Sequence, residues 1–254
     1  MKKVKDWFTN IYLWIRSLVL FNIFAPDVEK AVLSFRSEED LGGYNFHEAW
    51  GTYKADRLQA YQRDNVKVRN NRLELNPKKE EGIAWRYENG KRIAYKMHYT
   101  SGLVISKRDY SFGIFKVWAT IPSFIGGCSA IWLFSADEGG IREIDIQENR
   151  ITGKRQRREC MCTVHGGTDY GEGHEMVCQK VIVDRLSGKM RCYEIEWRRD
   201  KIVWRLDGED IAVNHSLVPQ KPMKLIMNLQ IYEEPDVMQA MTIKGFEYKE
   251  IKEL

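Results

Sequence analysis

From about residue 64 onward the chain breaks into short stretches of alternating apolar and polar residues closed by turn signals. "NVKVRNNRLELNP" reads as two strands about an Asn70-Asn71 turn. "YTSGLVISK", "GIFKVWATIP", "CSAIWLFS", "REIDIQEN", "CMCTVHG", "QKVIVD", "MRCYEIEW", "KIVWRLDG", "MKLIMNLQI" and "TIKGFEYKEI" continue the pattern. A period of two sends alternate side chains to opposite faces of a strand, so each stretch offers one face to a core. Asn89-Gly90, Ser187-Gly188 and Asp207-Gly208 supply turns between several of them. Many short strands with little helix between them predict an all-β sandwich or closed barrel.

A chain of 254 residues, 43% hydrophobic, can bury one substantial core. The one expected boundary is near residue 26, which leaves 27–254 as a single β domain. Ahead of it, Trp7, Ile11, Trp14, Leu18 and Phe21 recur at helical spacing behind Lys2, Lys3 and Lys5. Residues 1–26 are therefore expected to form an amphipathic helix. An export signal, a membrane-associated helix and a helix docked on the domain all fit it. The first two would make the protein secreted or associated with the cell envelope.

Lys plus Arg exceed Asp plus Glu by 40 − 36 = 4, and the densest basic cluster is "KRQRR" at 154–158. That is too short a footprint for nucleic-acid recognition, so no nucleic-acid partner is expected. Cys128, Cys160, Cys162, Cys178 and Cys192 are odd in number and contain no CxxC pair. Free thiols packed as small apolar groups are the expectation, rather than disulfides or a zinc knuckle.

Against this background "REIDIQENR" stands out, because Glu143, Asp145 and Glu148 crowd three acids into six residues. On a strand Glu143 and Asp145 share one face, while Ile144 and Ile146 take the other. Glu148 has the wrong parity for that face. A β-bulge at about Gln147 would correct it, and bulges commonly re-aim side chains beside active sites. Glu143 and Glu148 would then be separated by roughly 13 Å of backbone. Leaning together over Asp145, their carboxyls at roughly 5–6 Å would suit a retaining pair (about 5–5.5 Å) rather than an inverting one (about 6.5–9.5 Å). Crowded like charges also hold back one proton near neutral pH. Glu143 is then the expected ionised nucleophile, Asp145 its hydrogen-bonding helper and Glu148 the proton donor. A solvated acidic face or a calcium site is the rival reading of the same residues.

"EIDIQE" resembles the bulged E-x-D-x-x-E signature of glycoside hydrolase family 16, seen in laminarinase-, agarase- and carrageenase-like members; lichenases use the unbulged E-x-D-x-E. "YTSGLVISKRDYSFGIFKVWATIP", "SAIWLFS", "CTVHGGTDYG" and "YEIEWRRDKIVWRLDGEDI" are similar to the strands that flank the acids in that family. The resemblance covers about residues 30–250. It implies a concanavalin-like jelly roll of two curved antiparallel sheets, and Glu143, Asp145 and Glu148 as the catalytic residues. By the same resemblance Trp132 stacks a sugar ring, His165 contacts substrate near the cleavage point, and Asn228 and Gln230 offer hydrogen bonds to sugar hydroxyls. Trp118, Trp197 and Trp204 are expected in the core. No cofactor is required; relatives sometimes bind structural calcium, but no ligand cluster identifies a site here.

The implied activity is retaining endo-cleavage of a β-linked polysaccharide by a monomer, with β-1,3 or mixed-linkage glucan favoured and galactan as the alternative. Departures from the laminarinase pattern bear on substrate. Cys128-Ser129-Ala130 stands where Trp-Pro-Ala is usual, and Leu103 stands where an Arg is common. Arg86 and Arg150 could answer an acidic or sulfated polymer. A transglycosylase of the same fold and a non-catalytic carbohydrate-binding protein are the other readings.

Overall fold

The computed structural model describes residues 30–46, 56–89, 91–184 and 186–252. The amphipathic segment 1–26 lies outside them. Nineteen strands follow in order: β1 (Lys30–Ser34), β2 (Tyr44–Asn45), β3 (Gln59–Tyr61), β4 (Val66–Arg69), β5 (Arg72–Leu75), β6 (Gly82–Glu88), β7 (Lys91–Met97), β8 (Tyr99–Ser101), β9 (Leu103–Tyr110) and β10 (Gly113–Thr120). They continue as β11 (Gly127–Asp137), β12 (Gly140–Arg150), β13 (Glu159–Gly167), β14 (His174–Ile182), β15 (Met190–Trp197), β16 (Ile202–Leu206), β17 (Glu209–Asn214), β18 (Met223–Ile231) and β19 (Met241–Glu250).

Two antiparallel sheets form the sandwich. One runs β17-β16-β15-β10-β19-β5-β4, with β1 also paired to β19; the other runs β14-β13-β12-β11-β18-β9-β2. Period-two alternation builds the core between them. Phe115, Val117 and Ala119 from β10 and Trp197 and Ile195 from β15 meet Ile131 and Leu133 from β11, Ile144 from β12 and Leu225, Met227 and Leu229 from β18. Trp197 and Trp204 are fully buried there, as expected. Trp118 corrects its expectation: it is half-buried and keeps parity with Ile114 and Lys116 on the outer face of the eight-stranded sheet.

The seven-stranded sheet carries a second apolar cluster on its other, open face, formed by Tyr61, Leu103, Ile105, Phe134, Ile141 and Ile226 with Trp132 packed against it. Tyr61 reaches this face from β3, which pairs in parallel with β8. The β4–β5 hairpin turns at Asn70 and Asn71 with φ of 52° and 55°, the left-handed pair that a two-residue hairpin needs. One hairpin was visible in the sequence only through its Asn89-Gly90 turn: β6 and β7 pair with each other apart from both large sheets. All five cysteines are free thiols.

Candidate functional site

β12 carries the acids, and its register shows how they reach one face. Against β11, Asp145 pairs with Trp132 and Gln147 with Ile131, so Ile146 is the residue left without a partner. Against β13, Asp145 pairs with Thr163 and Glu148 with Met161, again one residue in excess on β12. The expected bulge is therefore present, with Ile146 rather than Gln147 as the unpaired residue. Ile146 packs in the inter-sheet core. Gln147 also turns inward, where its Nε2 donates to Ser129 Oγ at 3.3 Å. Two inward residues in succession return Glu148 to the open face beside Glu143 and Asp145.

Around the acids the neighbouring strands supply partners. His165 is opposite Glu143 on β13, and its Nε2 lies 3.2 Å from Asp145 Oδ2 and 3.6 Å from Glu143 Oε1. Its Nδ1 meets His174 Nε2 at 2.9 Å, across the β13–β14 pair. A hydrogen bond at each ring nitrogen holds the imidazole plane and leaves the tautomer to the proton between the two histidines. Tyr170, in the β13–β14 connection, donates its phenol hydrogen to Glu143 Oε2. Cys128 Sγ lies 3.9 Å from Glu148 Oε1.

Burial is the first cause that moves these acids, raising the affinity of all three for protons. It lifts Glu143 well above the ordinary range, reinforced by the charge of Asp145 and opposed by His165 and the Tyr170 hydrogen bond. Asp145 is lifted in the same way, with Glu148 adding repulsion. Glu148 is also raised by burial, against the pull of His165 and Arg57. Three carboxyls in so little water cannot all ionise near neutrality, so the cluster as a whole retains protons.

Trp132 is half-buried on the open face, with its ring 5.5 Å from Phe134. Its Nε1 donates to Asn228 Oδ1 at 2.7 Å, and Asn228 Nδ2 donates to Tyr61 OH at 2.9 Å. Asn228 is 1% exposed, so its amide lies under Trp132 as a brace rather than on the surface that meets a sugar. Gln230 follows on the same face, opposite Cys128, and is buried; its Oε1 has no hydrogen-bond partner among the described residues. Arg150 pairs with Glu233 at 3.3 Å and lies 4.1 Å over the Tyr232 ring. Arg86 lies on the separate hairpin, paired with Glu88. Among the described residues, Glu143, Asp145 and His165 also present ligand atoms within 4.8 Å of one another. Two carboxylates and an imidazole fall short of the six to eight oxygens that calcium takes.

Sequence reasoning missed Arg57, Tyr61, Tyr170 and His174. Only Tyr170 and His174 left a signal: Tyr170 sits in the short connection that follows "CTVHG", and His174 opens the next strand.

Residues 54–244 match the sequence profile described as glycosyl hydrolases family 16. A beta-glucanase from Brevibacillus brevis is 25% identical over 145 residues, covering 55% of this chain and 52% of that protein. A kappa-carrageenase from Pseudoalteromonas carrageenovora is 24% identical over 218 residues, covering 76% of this chain and 53% of that protein. The chain thus spans about half the length of these curated relatives. Among solved structures, the laminarinase catalytic domain of Thermotoga maritima superposes with a TM-score of 0.70 at 20% identity, covering 90% of this chain and 100% of that one. The Pseudoalteromonas carrageenovora kappa-carrageenase, solved with an oligotetrasaccharide of kappa-carrageenan, gives 0.69 at 20% identity, covering 89% and 97%. The sandwich is accordingly the jelly roll of those enzymes. With the acids, their bulge and the fold in agreement, the chain belongs to glycosyl hydrolase family 16.

Proposed function

We propose that the protein is a retaining endo-glycoside hydrolase of β-linked polysaccharide. The observation that carries this is the bulge in β12, which gathers three carboxyls, Asp145 buried and Glu143 and Glu148 half-buried, on the open face beside Trp132. Glu143 attacks the anomeric carbon while Glu148 gives its proton to the glycosidic oxygen. The bond to the leaving sugar breaks and a glycosyl ester of Glu143 forms. Glu148, now a carboxylate, takes a proton from water as the water oxygen attacks the same carbon and frees Glu143. Asp145 shares His165 Nε2 with Glu143, at 3.2 and 3.6 Å, and by holding a proton itself it removes the repulsion that opposes charge on Glu143. Trp132 offers an aromatic face to the C–H side of a pyranose.

β-1,3 or mixed-linkage glucan is the first substrate class. Galactan is the second, favoured by the longer match to the kappa-carrageenase and by Arg57 and Arg150 at the Glu148 end of the site. Wild type and Glu143→Gln are to be incubated with a panel of glucans and galactans and scored for new reducing ends. Release by wild type alone, with the β-anomer appearing first by NMR, is expected. Equal release by both would remove Glu143 from the chemistry. Binding without release would favour the carbohydrate-binding reading, and new linkages formed with an added acceptor sugar the transglycosylase reading.

A further inference from the structure

The mechanism above makes no use of the β13–β14 connection, although it reaches the centre of the site. Its backbone folds back on itself. Thr168 N donates to Gly173 O at 3.1 Å and His174 N to Gly171 O at 3.2 Å. Asp169 Oδ1 accepts from Gly171 N at 2.7 Å and from Gly173 N at 3.3 Å. Gly167 has φ of +100°, and a Cβ there would lie 1.9 Å from Gly173 O, so the tight return requires glycine. Such a clasped loop can present one side chain at a set position.

That side chain is Tyr170. Its ring stacks on Phe134 at 6.3 Å and 15°, and meets His165 at 6.3 Å and His174 at 5.5 Å. Nevertheless it remains 47% exposed, so burial of the ring alone does not account for its position. Its hydroxyl goes to Glu143 Oε2, while Oε1 of the same carboxyl is 3.6 Å from His165 Nε2.

We infer that Tyr170 is a positioning residue that sets Glu143 as a nucleophile and as a leaving group. The inference rests on the proposed double displacement. With Oε2 held by the phenol, Oε1 is the oxygen that attacks. A donated hydrogen bond favours the carboxylate, which makes Glu143 a weaker base and a better leaving group when water resolves the ester. Asp145 and Glu148 on β12, His165 on β13 and His174 behind it are the other titratable groups facing this carboxyl; from β11 it meets the apolar ring of Phe134. The exposed face of Tyr170 extends the Trp132–Phe134 aromatic strip past the nucleophile.

The test compares wild type, Tyr170→Phe, Tyr170→Ala and Glu143→Gln on the panel polysaccharide that wild type degrades fastest. Tyr170→Phe keeps the ring and loses the hydrogen bond. Its acid limb in kcat/KM is expected to move up by about one pH unit, and its kcat to fall about ten-fold. KM is expected to fall with kcat, because the glycosyl ester accumulates. Tyr170→Ala should in addition raise KM above that of Tyr170→Phe. An unmoved acid limb with both kcat and KM unchanged in Tyr170→Phe, while Glu143→Gln is inactive, would overturn this inference alone. Full activity of Glu143→Gln would instead overturn the double displacement on which it rests.

Discussion

The indole Nε1 of Trp204, on the eight-stranded sheet, donates at 2.7 Å to the backbone carbonyl of Asp145 on the facing sheet. Asp145 is the last regularly paired residue before β12 gains its extra member. One sheet therefore ties down the other at the point where the acidic strand departs from alternation. Trp204→Phe removes this bond and leaves a buried carbonyl unpaired, at a cost of about 1–3 kcal/mol. Chemical denaturation should show that loss, and the reducing-end rate should fall further than the small rise in unfolded fraction explains.

Glu143→Gln should remove activity by on the order of 10³-fold or more. It should also stabilise the fold at neutral pH. Burial raises the proton affinity of Glu143 in the folded chain above its unfolded value. Between those two values the folded state holds a proton that the unfolded state has released, so this residue's contribution to stability declines as pH rises through the window. Glutamine has no such decline. Thermal melts should differ little between wild type and variant near pH 4, and favour the variant by about 2–4 °C at pH 7.5.

Deleting Gln147 converts "EIDIQE" into "EIDIE", an unbulged strand in which all three acids and both isoleucines keep their present faces. The deletion also removes a buried amide whose Oε1 has no hydrogen-bond partner among the described residues. The variant should fold with equal or greater stability and retain activity within about a hundred-fold. Deletion of Ile144 instead reverses the parity of Glu143 and should abolish activity. Circular dichroism melts beside reducing-end assays distinguish the two.

Asn228→Leu should raise KM, because the indole of Trp132 and the hydroxyl of Tyr61 both lose the amide between them. The effect acts through Trp132. Combined with Trp132→Ala, the two changes should fall short of additivity by about 1 kcal/mol or more in kcat/KM.

The sandwich was legible because alternation survives in most strands: β10 buries every second residue, as "GIFKVWAT" implies. The β6–β7 hairpin was not legible as strands, since β7 is mostly solvent-exposed along its length. The Arg92 guanidinium 4.1 Å over the Trp85 ring joins its two strands, a contact that periodicity does not encode. At the site, Glu143, Asp145 and Glu148 were legible from spacing alone, because parity and one added residue determine their face. Asn228 and Gln230 were placed on the correct face, but not their depth, which depends on Tyr61 arriving from a strand far away in sequence. Tyr170 and His174 were missed for a similar reason: their roles come from a loop conformation maintained by backbone hydrogen bonds.

The pair of consecutive inward residues in β12 also bears on how the chain assembles. A regular alternating strand can slide by two residues and still match apolar to apolar. β12 has no such freedom, since a slide would bring a carboxylate into the inter-sheet core or expel Ile144 or Ile146 from it. The irregularity that aims Glu148 thus acts as an alignment mark, because any shifted pairing of β12 would have to bury charge.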